Sequence, residues 1–262
     1  MIRTRWRLAV AVVSFLGATN VCNAGTYSND FSADIGAAEL RGNAVLDSGS
    51  VRLTANTFSQ IGSLVIDDLD PERSVIRFDA SFVIAIGPGS MPPADGISFS
   101  LGQPPGGTGS FGENGTFDGL AVGFDLFDNM ESPTAPAIRV FVNGVQIVGT
   151  QVTLFSAGAF RPVSIHLDGG GLDVAYNGAT IFENLDLPGF SPAEGYQFTL
   201  GGRTGGATAE QRVDDVSIST TAFSAGVPAL SKVPLVLLGV LLVAAVVLRS
   251  RHRRRSQAAA VA

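Results

Sequence analysis

Between residues 26 and 222 apolar and polar positions alternate with a period of two, and the pattern is cut repeatedly by Gly, Asn and Pro. Successive side chains of a strand point to opposite faces, so this period predicts strands. In Ile76–Ile86 the residues Ile76, Phe78, Ala80, Phe82, Ile84 and Ile86 share one face, and Arg77, Asp79 and Ser81 share the other. Ile97, Phe99 and Leu101 alternate with Ser98 and Ser100. Leu120, Val122, Phe124 and Leu126 alternate with Ala121, Gly123, Asp125 and Phe127. Ile138, Val140 and Val142 run into Asn143-Gly144, and Leu172, Val174 and Tyr176 into Asn177-Gly178. Asn-Gly pairs supply the positive φ angles of tight hairpin turns. Phe198 and Leu200 mark a late strand, Val216 and Ile218 a final one.

No stretch here has the period of a long amphipathic helix, and strands do not alternate with helices, which excludes a parallel α/β fold. The pattern predicts an all-β domain over residues 25–222, an antiparallel sandwich of two sheets. Phe111, Phe117 and Phe198 are expected in its core. The segments Gly87–Pro93 and Gly102–Gly115 read as long loops, where a rigid sandwich carries binding sites.

The two ends follow other rules. Arg3, Arg5 and Arg7, the apolar run from Leu8 to Leu16 and Cys22-Asn23-Ala24 give residues 1–24 the form of a secretory signal peptide. Residues 223–232 read as a linker. Residues 233–248 are an uncharged apolar run suited to a short membrane span. Residues 249–262 begin with Arg249, Arg251 and Arg253–Arg255, which by the positive-inside rule stay cytoplasmic and leave the β-domain outside.

Charge sharpens this division. All 23 acidic residues fall between Asp30 and Asp215, against eight arginines in the same interval, a net −15. Such a surface repels phosphate backbones, so nucleic acid is not an expected partner. A single Cys excludes a disulfide framework and a thiolate metal cluster. The one His of the domain, His166, falls on the polar face of its strand, and the domain has no lysine. A serine triad, a Gly-Lys-Ser/Thr phosphate loop and catalysis in general are therefore not expected.

Two resemblances add to this reading. The run Val227-Pro228-Ala229-Leu230-Ser231, followed by the apolar stretch and the Arg cluster, resembles the tripartite C-terminal sorting signals of Gram-negative bacteria whose motif begins Ile-Pro-Thr-Leu-Ser. It departs at Val227 and Ala229. It implies export, a place in the cell envelope or at the cell surface, and a sorting protease as partner. An anchored protein and a processed, secreted one both fit it.

Within the domain, Ala94-Asp95-Gly96-Ile97-Ser98-Phe99, Leu120-Ala121-Val122-Gly123-Phe124-Asp125-Leu126-Phe127-Asp128-Asn129 and Gly205-Gly206 occur in that order. Together with the strand order they resemble the L-type lectin family, the legume lectins and the animal cargo lectins of the early secretory pathway. The resemblance implies a concanavalin A-like jelly roll and a site for glycans, neutral sugars above all. It implies sugar contacts from Asp95, Phe127, Asn129, Gly205 and Gly206, and a cis peptide between Ala94 and Asp95. It also implies calcium held by Asp125, the Phe127 carbonyl and Asn129, with Asp128, Glu131 or water completing the shell.

The departures weaken the metal expectation. Gly123 stands where legume lectins have a manganese Glu, Arg139 where they have a manganese His and Thr134 where they have a second calcium Asp. The His and Asp that complete the animal site have no counterpart in Val145–Leu154. Manganese is not expected, and calcium is expected to be weak or absent. Glucanases of the same fold class carry Glu-x-Asp-x-x-Glu on one strand, and no strand here does. Two readings follow: a surface-displayed or exported lectin, or a matrix or adhesion protein that keeps the sandwich without the sugar site.

Overall fold

The computed structural model describes residues 21–22, 25–104 and 112–223. Most of the expected signal peptide, the sorting motif, the apolar run 233–248 and the basic tail, with Phe111, lie outside them. In chain order the strands begin with β1 (Val21–Cys22), β2 (Thr26–Asn29), β3 (Ala38–Gly42), β4 (Val45–Asp47) and β5 (Ser50–Thr54). There follow β6 (Ile61–Ile66), β7 (Ser74–Gly89), β8 (Gly96–Gly102), β9 (Leu120–Asp125), β10 (Ala137–Val142) and β11 (Val145–Gln151). The last are β12 (Arg161–Asp168), β13 (Gly171–Tyr176), β14 (Ala179–Leu185), β15 (Gln197–Arg203) and β16 (Ala209–Phe223). Among the described residues the one helical element is the 3-10 turn Gly112–Asn114, and no helix is long and apolar enough to cross a membrane.

The strands form two antiparallel sheets. One has nine strands, ordered β14-β13-β12-β7-β16-β5-β4, with β1 and β2 also paired to β16. The other has seven, ordered β11-β10-β9-β8-β15-β6-β3. The apolar faces meet in one core. Phe82 stacks on Phe99 with centroids 5.5 Å apart, Phe78 meets Phe198 edge-on at 5.3 Å, and Phe124 lies 6.0 Å from Tyr176. Large aromatic surfaces removed from water dominate the stability of such a core.

Two expectations are corrected, and a third observation adds to the pattern. Ile76 does not face the core. It is exposed while Val75 is buried, because β7 and β16 slip register between Thr221 and Ala222, leaving Ile76 as the extra residue of a bulge. One extra residue reverses the facing of everything before it. Phe117 is 79% exposed, covering the hairpin glycine Gly144 from outside rather than entering the core. Ser98, Ser100 and Asp125 are buried, although alternation puts them on the outer face of the seven-stranded sheet.

The segment Gly112–Thr116 lies over this outer face at Ser98 and Ser100, and the buried Arg139 side chain packs on Asp125. Ser98 Oγ donates to the Gly112 carbonyl at 2.5 Å, and Ser100 Oγ accepts from the Thr116 N–H at 3.2 Å. A Cβ at position 123 would sit 2.2 Å from the Glu113 carbonyl oxygen, so Gly123 allows the approach.

Candidate functional site

Sheet register gathers the motif residues at one end of the seven-stranded sheet. Arg203 of β15 pairs with Gly96 of β8, Gly96 with Asp125 of β9, and Asp125 with Ala137 of β10. Asp95 sits just outside this row. Its N–H donates to the Arg203 carbonyl at 2.9 Å, and its carbonyl accepts from the Leu126 N–H at 2.8 Å. The Ala94–Asp95 peptide is cis. The backbone thus holds Asp95 between two neighbouring strands.

A cavity of about 830 Å3 opens at this end. Asp95, Phe127, Asn129, Gly205 and Gly206 all line it, joined by Arg203 and by the exposed side chains of Phe58 and Met91. Asp95 is buried, and its Oδ2 accepts from Arg203 Nε at 2.8 Å. Arg203 Nη2 donates to Glu113 Oε1 at 2.6 Å, so one guanidinium bridges two carboxylates. Glu113 is 3% exposed, and burial pushes its carboxyl above the usual carboxylate range. Its Oε2 has no hydrogen-bond partner among the described residues. Gly205 approaches the Asp95 carboxylate so closely that a Cβ there would stand 3.2 Å from Oδ2, while at Gly206 a Cβ would meet nothing within 4 Å. Aromatic and apolar surface therefore rings a floor of oriented charge, a combination suited to a ligand with hydroxyls on its edges and C–H groups on its faces.

The expected calcium ligands are arranged differently. Asp125 and Asp128 do not line the cavity. Asp125 is 2% exposed; its Oδ2 accepts from Arg139 Nε at 2.9 Å and its Oδ1 from the Phe127 N–H at 3.2 Å. Asn129 donates its side-chain amide to the Phe127 carbonyl at 3.4 Å, so two expected ligands bond to each other. Asp128 Oδ1 accepts from the Met130 N–H at 2.9 Å, and a Glu131 oxygen accepts from the Asn129 N–H at 2.8 Å. Burial pushes the Asp125 carboxyl up to about 6, against the opposing pull of Arg139. Among the described residues no group of three or more His, Cys, Asp or Glu is placed to hold a metal ion. This donor set does not fit calcium, which needs several free oxygens around one point.

Two side chains at this end had no local signal. Arg203 ends the ordinary strand β15, and only the tertiary approach of Asp95 and of the Gly112–Asn114 turn reveals its carboxylate partners. Gln146, on β11, accepts from Arg139 Nη1 at 3.0 Å.

Comparison with known proteins agrees with this architecture. Residues 26–152 match the model of the legume-like lectin family. No curated protein sequence matches the chain. The VIP36 exoplasmic/lumenal domain, solved with Ca2+ and mannose, is similar over 74% of this chain and 88% of its own, with 18% identity and a TM-score of 0.57. Basic winged bean lectin, solved with Tn-antigen, is similar over 76% of this chain and 99% of its own, with 21% identity and a TM-score of 0.63. Peanut lectin, solved with a peptide, is similar over 77% and 99%, with 20% identity and a TM-score of 0.62. The described domain is an all-β sandwich of the legume-lectin fold, and over residues 26–152 it is similar in sequence to the legume-like lectins.

Proposed function

We propose that the domain binds glycans in the cavity around Asp95, as a lectin rather than as an enzyme. The observation that supports this best is the convergence of Asp95, Phe127, Asn129, Gly205 and Gly206 on one cavity from three separate segments. Asp95 offers an acceptor to sugar hydroxyls, with Arg203 holding its carboxylate in one orientation. Phe127 and Phe58 offer apolar surface to the C–H face of a pyranose ring. The net charge of −15 between Asp30 and Asp215 favours neutral glycans over anionic ones. The structural neighbours solved with mannose and with Tn-antigen support the same class of ligand.

The ends of the chain support export: a signal-peptide pattern over residues 1–24, and an apolar run followed by five arginines over residues 233–255. We infer a protein displayed at the envelope surface, or released from it after processing at the C-terminus. A glycan array probed with the purified chain tests the binding function. Expected is binding to neutral glycans that Asp95→Ala and Phe127→Ala abolish. An array on which no glycan is bound would leave the matrix or adhesion reading in its place.

A further inference from the structure

Among the described residues the largest fully buried side chain is charged. Arg139 is 1% exposed, in the middle of β10. Its guanidinium makes three charge-assisted contacts in three directions. Nε donates to Asp125 Oδ2 at 2.9 Å, Nη1 to Gln146 Oε1 at 3.0 Å and Nη2 to the Pro133 carbonyl at 2.7 Å. Gln146 Nε2 in turn donates to the Ser132 carbonyl at 2.7 Å. A carboxylate, a side-chain amide oxygen and a backbone carbonyl are the oxygen types that collect around a hard cation. Here they collect around a guanidinium.

We propose that Arg139 is a built-in cation that holds the loop 126–136 and makes a divalent metal unnecessary there. Asp125 ends the strand before this loop, Pro133 lies within it, and Gln146 belongs to the strand beyond β10, so one side chain ties three segments together. The loop carries Phe127 and Asn129 to the cavity wall. Charge arithmetic favours this occupant. One buried carboxylate balances one guanidinium, whereas a divalent ion beside Asp125 would keep an uncompensated positive charge and would face Arg139 across a few ångströms of low-dielectric interior. The planar fork of the guanidinium also fixes its partners in direction, which lysine cannot match. The inference concerns how the loop is held and stands whatever the cavity binds.

The test is thermal unfolding of the full chain in millimolar CaCl2 and in EDTA, with a calorimetric titration of CaCl2 into the protein. Expected is one unfolding midpoint in both solutions and no heat of calcium binding. A midpoint raised by calcium, or a saturable binding heat at Asp125, would overturn the proposal. Arg139→Met should lower the midpoint by roughly 10 °C, because it leaves Asp125 buried without a counter-charge. Arg139→Lys, which keeps the charge and loses the fork, should unfold between Arg139→Met and the unaltered chain. If Arg139→Met does not fold, the titration and the Lys variant still decide. A Lys variant no more stable than Arg139→Met would show that packing, and not charge, is what position 139 supplies.

Discussion

Arg139 and Asp125 form an ion pair of 2.9 Å in which neither side chain is more than 3% exposed. They stand on adjacent strands, two pairing positions apart, since Asp125 pairs with Ala137 and Gly123 with Arg139. Removing either partner alone strands the other charge in the interior, which costs about 3–5 kcal/mol. Removing both strands neither. In urea unfolding, Arg139→Met and Asp125→Asn should each approach that cost, and the double variant should fall well short of the sum of the two. Strict additivity would mean that the pair contributes no coupling to the fold.

The close approach of Gly205 to Asp95 separates binding from stability. Gly205→Ala places a methyl group 3.2 Å from Asp95 Oδ2, a carboxylate that Arg203 prevents from turning away. We expect glycan affinity to fall about tenfold or more, equivalent to about 1.4 kcal/mol, with the unfolding midpoint nearly unchanged. Gly206→Ala meets nothing within 4 Å and should bind as the unaltered protein does. Equal affinities for the two variants would place the ligand away from this carboxylate.

The core supplies a prediction of pure stability. Phe82 is 2% exposed, stacks on Phe99 at 5.5 Å and meets Phe124 edge-on at 6.5 Å. Phe82→Ala should cost about 3–5 kcal/mol in denaturant unfolding, from lost burial and the cavity left between the sheets. A much smaller loss would require the two sheets to close on the vacated space.

On the opposite sheet, His166 Nδ1 lies 2.6 Å from Asp79 Oδ1, and Nε2 lies 3.6 Å from Asp168 Oδ2. The hydrogen bond to Asp79 raises the His166 pKa above its ordinary 6.5. The folded state then binds this proton more tightly than the unfolded chain. Its stabilising contribution is full below pH 6.5 and fades as pH rises through the raised value. Arg77 lines the same surface hollow. Melting curves from pH 5 to 9 should show a modest loss of stability above neutrality that His166→Gln flattens; an unchanged slope in that variant would assign the loss to other groups.

Much of the fold was legible because alternation is a local property. Val163, Ile165 and Leu167, or Leu120, Val122 and Phe124, announce a strand and its buried face without reference to any neighbour. The Asn143-Gly144 and Asn177-Gly178 turns were legible for the same reason, and all four residues do adopt positive φ. Facing failed where a partner strand intervened. Ile76 is displaced by a bulge that exists only because β7 pairs with β16 far along the chain, Arg77 with Thr221 and Val75 with Ala222. Phe117, expected in the core, instead lies exposed over the Gly144 turn of the β10–β11 hairpin.

At the candidate site the motif residues could be named from the chain, because a family resemblance attaches to short runs such as Ala94-Asp95-Gly96. Their charge partners could not. Asp95 and Arg203 are 108 positions apart, Glu113 and Arg203 are 90 apart, and Asp125 and Arg139 are 14 apart on different strands. An all-β sandwich and most of its strand faces follow from period alone, and a family resemblance names five of the residues around the cavity but not Arg203, Phe58 or Met91. That Asp125 answers to one arginine and Asp95 to another emerges only once the strands are packed together. The pairing of buried charges depends on which strands lie side by side and on how little water reaches between them.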